Sequence, residues 1–76
     1  MSESMSERQE RLFLLFKSAI DSERKAQDMY KMAMELTDDE DFKEILEGFY
    51  KDELRHERKL MDQYNKTIRE FSITEE

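Results

Sequence analysis

The stretch LTDDEDF, residues 36–42, separates two long segments of helical character and so decides the fold. Thr37, Asp38 and Asp39 are residue types that cap helix N-termini well, and Glu40 follows Thr37 by three positions, as in a capping box. One helix therefore ends at this stretch and a second begins there. We predict an all-α, antiparallel two-helix hairpin, with helix 1 at about 6–36, a loop at 37–41 and helix 2 at about 42–71.

Upstream of the loop, apolar or small residues recur at alternating steps of four and three, which is the period of an amphipathic helix. Either Ser4 with Glu7 or Ser6 with Gln9 is placed to cap the start of this helix. Glu23 occupies a position in the apolar row. The row consists of Leu12, Phe16, Ala19, Glu23, Ala26, Tyr30 and Ala33.

Downstream of the loop, a second apolar row has the same period, with a glutamate and the only histidine inside it. We expect Gly48 to permit a close contact between helices, and the final residues ITEE to be frayed. The row consists of Phe42, Ile45, Leu46, Phe49, Glu53, His56, Leu60, Tyr64, Ile68 and Phe71.

The composition bounds the function. The 76 residues form one domain, 1–76, and the absence of cysteine excludes disulfides, zinc thiolate sites and thiol catalysis. The net charge of -7 disfavours nucleic acid as a partner, because phosphates would be repelled. The N-terminus lacks the apolar core of a signal peptide, and the longest apolar run, LFLLF at 12–16, is too short for a bilayer. We expect no membrane partner and a cytoplasmic location.

Two helices share only one line of contact and cannot enclose a core, yet apolar residues extend well beyond that line. Phe13, Leu14, Leu15 and Ile20 spread around helix 1, and three methionines follow them. Such a surplus indicates subunit contacts, although flexible methionines also serve simply to fill gaps. We predict at least a homodimer, in which two hairpins form a four-helix bundle, and larger assemblies are compatible with the pattern.

The polar residues of the two rows match in height. Glu23 precedes Asp39 by 16 positions and Glu53 follows it by 14, which places them roughly 24 and 21 Å from the turn. His56 shares the helix face of Glu53, one turn away. Burying three ionisable groups without partners costs several kcal/mol, and a bound cation compensates because carboxylate and imidazole are metal ligands. We predict that Glu23, Glu53 and His56 bind metal.

Other interpretations of the same residues remain open. Glu53 and His56 can form a salt bridge, and Glu23 can pair with Arg55 or Lys25, in a metal-free structural or adaptor oligomer of hairpins. Tyr30, two turns from Glu23 on the same face, is either a core residue or a redox-active or ligand-positioning neighbour of the metal. We expect Asp52 and Glu57 to be solvated, with Glu57 as a spare ligand.

A two-fold dimer doubles the predicted ligands to four glutamates and two histidines, the ligand set of di-iron carboxylate bundles. With Glu23 followed by Tyr30 seven positions later, and with Glu53 and His56 in a Glu-x-x-His motif, residues 12–71 resemble the ferritin-like superfamily. The resemblance is to the first half of a rubrerythrin domain and, more closely, to an encapsulated ferritin. The chain contains no second Glu-x-x-His and no rubredoxin cysteines.

The resemblance implies a ferroxidase centre at a subunit interface, with Glu23, Glu53 and His56 holding two irons per dimer. It also implies a ring of ten subunits and a location inside an encapsulin compartment, with the encapsulin shell or another iron-storage protein as partner. A rubrerythrin-like peroxide reductase with an external electron donor is the alternative. Manganese or zinc fits the same ligands.

Overall fold

The computed structural model describes the backbone of residues 6–75 and the side chains of residues 6–70. Two helices, α1 at Glu7–Leu36 and α2 at Glu40–Glu75, form a hairpin, and the part of the chain described here contains no strand. The predicted all-α hairpin is therefore confirmed. Its extents of 60 × 17 × 13 Å are those of a rod that is two helices wide and one helix thick.

A complete capping box begins α1. The Ser6 hydroxyl accepts a hydrogen bond from the backbone N–H of Gln9, and the Gln9 side chain accepts one from the backbone N–H of Ser6. Two backbone donors at the helix start are satisfied in this way. Of the two predicted capping pairs, the one with Ser6 is confirmed, whereas Ser4 lies outside the described residues.

The loop is shorter than predicted. The Asp39 carboxylate accepts hydrogen bonds from the backbone N–H groups of Asp41 and Phe42, so α2 begins at Glu40 and not at 42. The Thr37 hydroxyl accepts the Asp39 N–H, and the Thr37 N–H closes α1 on the carbonyl of Ala33. The other boundary differs as well, since α2 continues to Glu75 beyond the predicted end at 71 and includes three of the four residues expected to fray.

Little of the apolar surface is buried between the two helices. Among the described residues only Ile20 and Leu46 count as buried core, at 9% and 5% exposure. Ring contacts support the pair near both ends: Tyr64 lies edge-on to Phe13 and Phe16 near the N-terminus of α1. Near the loop, the rings of Tyr30 and Phe49 pack with centroids 5.6 Å apart.

Within one hairpin, Gly48 makes no close helix contact, so the predicted contact stays a prediction only for association with another subunit. A Cβ placed on Gly48 would meet nothing within 4 Å, and its φ is in the ordinary helical range. The residue is exposed on α2 and leaves open space beside it. Neither the hairpin contact nor the backbone conformation of one chain therefore requires glycine at this position.

The two sides of the hairpin differ in chemistry. Each side chain is rotated around its helix axis, in one direction or the other, away from the line where the two helices touch. In an antiparallel pair, side chains rotated in the same direction lie on the same side of the hairpin. Arg24, Lys31, Tyr50 and Glu57 are rotated in one direction and contact one another across the helices, and we call this the polar side. Exposed residues rotated in the opposite direction form the open face: Leu15, Met29, Ile45, Phe49 and His56.

Within the described residues, neither helix has a stretch sufficiently long and apolar to cross a membrane.

Candidate metal centre

Three potential metal ligands converge between the helices. Glu23 on α1 and Glu53 and His56 on α2 each offer an atom, and these atoms lie within 4.8 Å of one another. The imidazole Nδ1 of His56 is 3.1 Å from Oε1 of Glu53 and 3.4 Å from Oε1 of Glu23. The structure thus brings together the three residues that the matching heights in the sequence had predicted to meet.

The hydrogen bonds within this cluster are incomplete. His56 Nδ1 makes its shorter contact with Glu53, and whether the nitrogen donates or accepts there depends on the tautomer of the imidazole. Oε1 of Glu23 is buried without a hydrogen-bond partner among the described residues. Buried polar atoms in folded proteins are nearly always paired, so an oxygen in this state indicates a missing partner.

The electrostatics of the cluster are unfavourable to charge on Glu23. The neighbouring Glu53 carboxylate raises the pKa of Glu23 above its ordinary value, because a protonated Glu23 can donate a hydrogen bond to it. Desolvation and charge repulsion by Glu53 raise this pKa further, and His56 opposes the shift only in part. A cation placed among these atoms would reverse the balance, since it stabilises both carboxylates in their charged forms.

Exposure in the cluster is unequal. The Glu23 and Glu53 side chains are 21% and 18% exposed, whereas His56 is 56% exposed and belongs to the open face. The carboxylates are therefore enclosed between the helices, and the imidazole borders the surface that one hairpin leaves uncovered. An ion held by the three side chains would be accessible through the open face. A partner packed against that face could also contact the ion.

The donor set fits a divalent transition metal. Two carboxylates and one imidazole suit iron, manganese or zinc, and the convergence of their atoms leaves part of the coordination sphere free. The unpaired oxygen of Glu23 is the observation in this structure that favours an ion, because a metal would satisfy it directly. Among the residues that the structure describes, the acidic side chains outside this cluster neither converge with a histidine in this way nor have a buried oxygen without a partner.

Two predictions about neighbouring residues require revision. Glu57 is not solvated: it accepts hydrogen bonds from Arg24 Nε and Gln27 Nε2, each at 2.7 Å, and its side chain is only 17% exposed. The hydrogen bonds from Gln27 and Arg24 lower the pKa of Glu57, opposite to the shift of Glu23. Glu57 is also not one of the three converging ligands.

Contacts bear on two of the remaining sequence alternatives, those for Arg55 and Tyr30. Arg55 pairs with Asp52 on its own helix, so it is not the partner of Glu23. The Tyr30 ring packs against Phe49, in the manner of the core residue that was one of its two interpretations. Arg24 and Gln27 were not singled out from the sequence because neither stands in the apolar row.

A sequence signal for the missed cluster does exist. Arg24 precedes Asp39 by 15 positions and Glu57 follows it by 18, so their heights differ by about 4.5 Å, which long side chains can span. The same comparison of heights that paired Glu23 with Glu53 would have found this ion pair.

Comparison with known proteins gives no relative: no family model, no curated protein and no solved structure matches this chain.

Proposed function

We propose that this chain is a di-iron carboxylate protein that oxidises Fe(II), with its metal centre completed when two hairpins associate into a four-helix bundle. The observation that supports the proposal is the convergence of Glu23, Glu53 and His56, with the Glu23 oxygen lacking a partner. The resemblance of the same residues to encapsulated ferritins favours iron over the other metals that these ligands accept.

The open face supports association with a second copy. Ile45 and Phe49 on this face are about half exposed, and His56 lies on the same stripe of α2. A two-fold axis through such a face places two copies of the ligand set near each other, because an isologous interface repeats every contact. The dimer would bury the exposed apolar side chains that a single hairpin cannot cover.

In the proposed centre the residues have separate roles. The two enclosed carboxylates, Glu23 and Glu53, would hold the ions by charge, and His56 would supply a nitrogen ligand as a neutral imidazole. Fe(II) is the substrate, and two Fe(II) ions oxidised together release two electrons, which dioxygen or hydrogen peroxide accepts.

The test is aerobic addition of several Fe(II) per centre, with oxidation followed optically and product size followed by sedimentation. We expect oxidation to exceed the rate in buffer and to continue beyond two irons per dimer. Glu53→Gln should lose this activity, whereas the matched control Glu47→Gln, an exposed glutamate on the same helix, should retain it. Oxidation that stops at two irons, with rapid peroxide turnover when a reductase is supplied, would instead establish the rubrerythrin-like activity.

A metal-free structural hairpin is the second candidate. The 3.1 Å contact of His56 with Glu53 favours it, because this pair needs no ion when the histidine is protonated. Metal content separates the two functions: protein purified without chelator and analysed by elemental mass spectrometry should contain about one metal per chain under the first proposal. Purified protein without metal that also fails to bind added Fe(II) anaerobically would favour the structural role.

A further inference from the structure

A second polar cluster joins the helices on the polar side of the hairpin. Both carboxylate oxygens of Glu57 on α2 are occupied by donors from α1, with Arg24 Nε on Oε2 and Gln27 Nε2 on Oε1, each at 2.7 Å. Arg24 also contacts the sulfur of Met61, one turn further along α2, at 3.8 Å. Charge-assisted bonds of this length are directional, so together they favour one relative placement of the two helices.

The residues of this cluster are chain neighbours of the ligands. Arg24 follows Glu23 directly, and Glu57 follows His56 directly. Because a helix is rigid over one or two residues, sliding α2 along α1 would separate Glu57 from Arg24 and His56 from Glu23 by the same distance. The geometry of the second cluster is thus tied to the geometry of the first.

Apolar packing between the helices is sparse apart from the ring contacts of Tyr64 and Tyr30 near the two ends. Only Ile20 and Leu46 are buried core in the described part of the hairpin, and the apolar rows repeat every three or four residues. A slip of one turn, about 5.4 Å, would replace one apolar contact with a similar one. Polar groups placed within a helix seam are a known means of specifying register under such conditions.

We propose that Arg24, Gln27 and Glu57 form a register lock that fixes the axial and rotational placement at which Glu23 meets Glu53 and His56. They are positioning residues, because they act on the ligands through the helices that carry both. Testing this role by metal binding rests on the proposed function. Testing it by the helix register of the metal-free hairpin does not.

The metal readout uses Co(II) alone, titrated into wild type, Arg24→Ala and the control Arg55→Ala, with visible absorption as the signal. Arg55 pairs with Asp52 within α2, so the control removes the same charge near the ligands without breaking a link between helices. We expect Arg24→Ala to weaken Co(II) binding by about 10-fold or more and to change the absorption bands, which report coordination geometry.

Whether Co(II) affinity falls or rises distinguishes a positioning role of the arginine from a purely electrostatic one. Removing a positive charge near a cation site should strengthen binding, so Arg55→Ala is expected to bind Co(II) as tightly as wild type or slightly more tightly. Gln27→Ala removes one bond of the lock and no charge, and it should weaken binding by a smaller factor than Arg24→Ala. Equal behaviour of Arg24→Ala and Arg55→Ala, with unchanged absorption bands, would overturn the proposal.

The register readout needs no metal. The chain contains no cysteine, so Asp28→Cys and Arg58→Cys, both at exposed positions, allow two spin labels whose separation is measured by pulsed electron resonance. Labelled chains are diluted with unlabelled protein so that only distances within one chain are observed. We expect one narrow distribution with the lock intact, and a distribution that is broader, or shifted by about 5 Å, when Arg24→Ala is added.

The two readouts fail separately. Circular dichroism first establishes that each variant retains the helix content of wild type. A wild-type chain that binds no Co(II) and no Fe(II) would contradict the proposed function but leave the spin-label result as a test of the lock. An unchanged distance distribution in both Arg24→Ala and Glu57→Gln would refute the lock even if metal binding is confirmed.

Discussion

At the scale of single residues, the hairpin places two glutamates in opposite environments. Glu23 has a carboxylate neighbour and a buried oxygen without a partner, and its pKa is raised mainly by the contact with Glu53. Glu57 is held by Gln27 and Arg24, and its pKa is lowered. A carboxylate neighbour thus disfavours charge on Glu23, whereas charge-assisted hydrogen bonds favour charge on Glu57.

The raised pKa of Glu23 predicts how stability depends on pH. Between its ordinary pKa of 4.5 and its raised value, the folded state binds more protons than the unfolded state. The contribution of Glu23 to the stability of the metal-free protein is therefore greatest at low pH and is lost as the pH rises through the raised pKa. Glu23→Gln, which cannot ionise, should therefore be closer in stability to wild type at pH 4.5 than at pH 7.5, where the variant should be the more stable of the two.

Thermal unfolding followed by circular dichroism, with a chelator present, measures this difference at the two pH values. Glu47→Gln serves as the control, because Glu47 is exposed and pairs only with Lys51 one turn away on the same helix among its described contacts. A stability difference between Glu23→Gln and wild type that stays constant from pH 4.5 to 7.5 would contradict the assigned electrostatics.

The ligand residues themselves give a second prediction. His56→Ala should reduce the affinity for Fe(II), measured anaerobically by isothermal titration, by about 100-fold or more, because it removes the single nitrogen donor. Glu53→Gln should have a similar effect through loss of a charged oxygen ligand. Wild-type affinity should increase as the pH rises, since the metal competes with protons for all three groups. If His56→Ala binds the full amount of metal, His56 is not a ligand.

At the scale of helices, Gly48 has no role within one hairpin. Glycine destabilises a helix interior by about 0.5–1 kcal/mol relative to alanine, and a Cβ at this position meets open space. Gly48→Ala should therefore stabilise the isolated chain by about that amount, as measured by urea unfolding of the metal-free protein. Destabilisation that grows with protein concentration would instead indicate that another subunit approaches Gly48 closely.

The helices could be predicted from the sequence to a large extent because their signals are local. Periodicity gave both helices, and Ser6 with Gln9 was one of the two caps proposed for α1. The start of α2 was placed two residues late, because Asp38 and Asp39 are equally good caps and only the structure shows the Asp39 carboxylate on two backbone N–H groups.

The candidate site also has a part that could be predicted from the sequence and a part that could not. Glu23, Glu53 and His56 could be predicted to meet because polar residues in an apolar row are conspicuous and their heights can be compared. The ion pair of Arg24 with Glu57 was missed because charged residues outside the row are common on a chain that is 43% charged. Whether these two charged residues pair depends on how far their side chains reach from one helix to the other, and the spacing of apolar residues in the sequence gives no information about that distance.

At the scale of the whole molecule, the hairpin is a rod with an incomplete core. Its radius of gyration is 17.4 Å, whereas a compact domain of this length would have about 11 Å. The polar side carries the Arg24–Glu57 ion pair and a cation–π contact beside the exposed Met61, and the open face retains exposed apolar side chains beside His56. This asymmetry makes the open face the side better suited to packing against another apolar surface.

This asymmetry predicts which substitution disrupts assembly. Ile45 on the open face and Leu54 on α2 away from it are 53% and 41% exposed, so both are similarly accessible in one hairpin. Ile45→Lys should weaken dimer formation by at least about 100-fold, because a two-fold interface loses the apolar side chain twice and must also accommodate two charges.

Leu54→Lys introduces the same charge on the same helix and should leave the association constant within about a factor of three of wild type. Sedimentation equilibrium on both variants and wild type, with and without Fe(II) under anaerobic conditions, measures the effect. Iron should strengthen association of wild type, since a ligand that binds only the paired state stabilises it by mass action. It should not restore Ile45→Lys at micromolar protein. Equal loss of association in both variants would place the interface elsewhere, and a folded wild-type monomer that iron fails to pair would show that the metal centre does not lie between subunits.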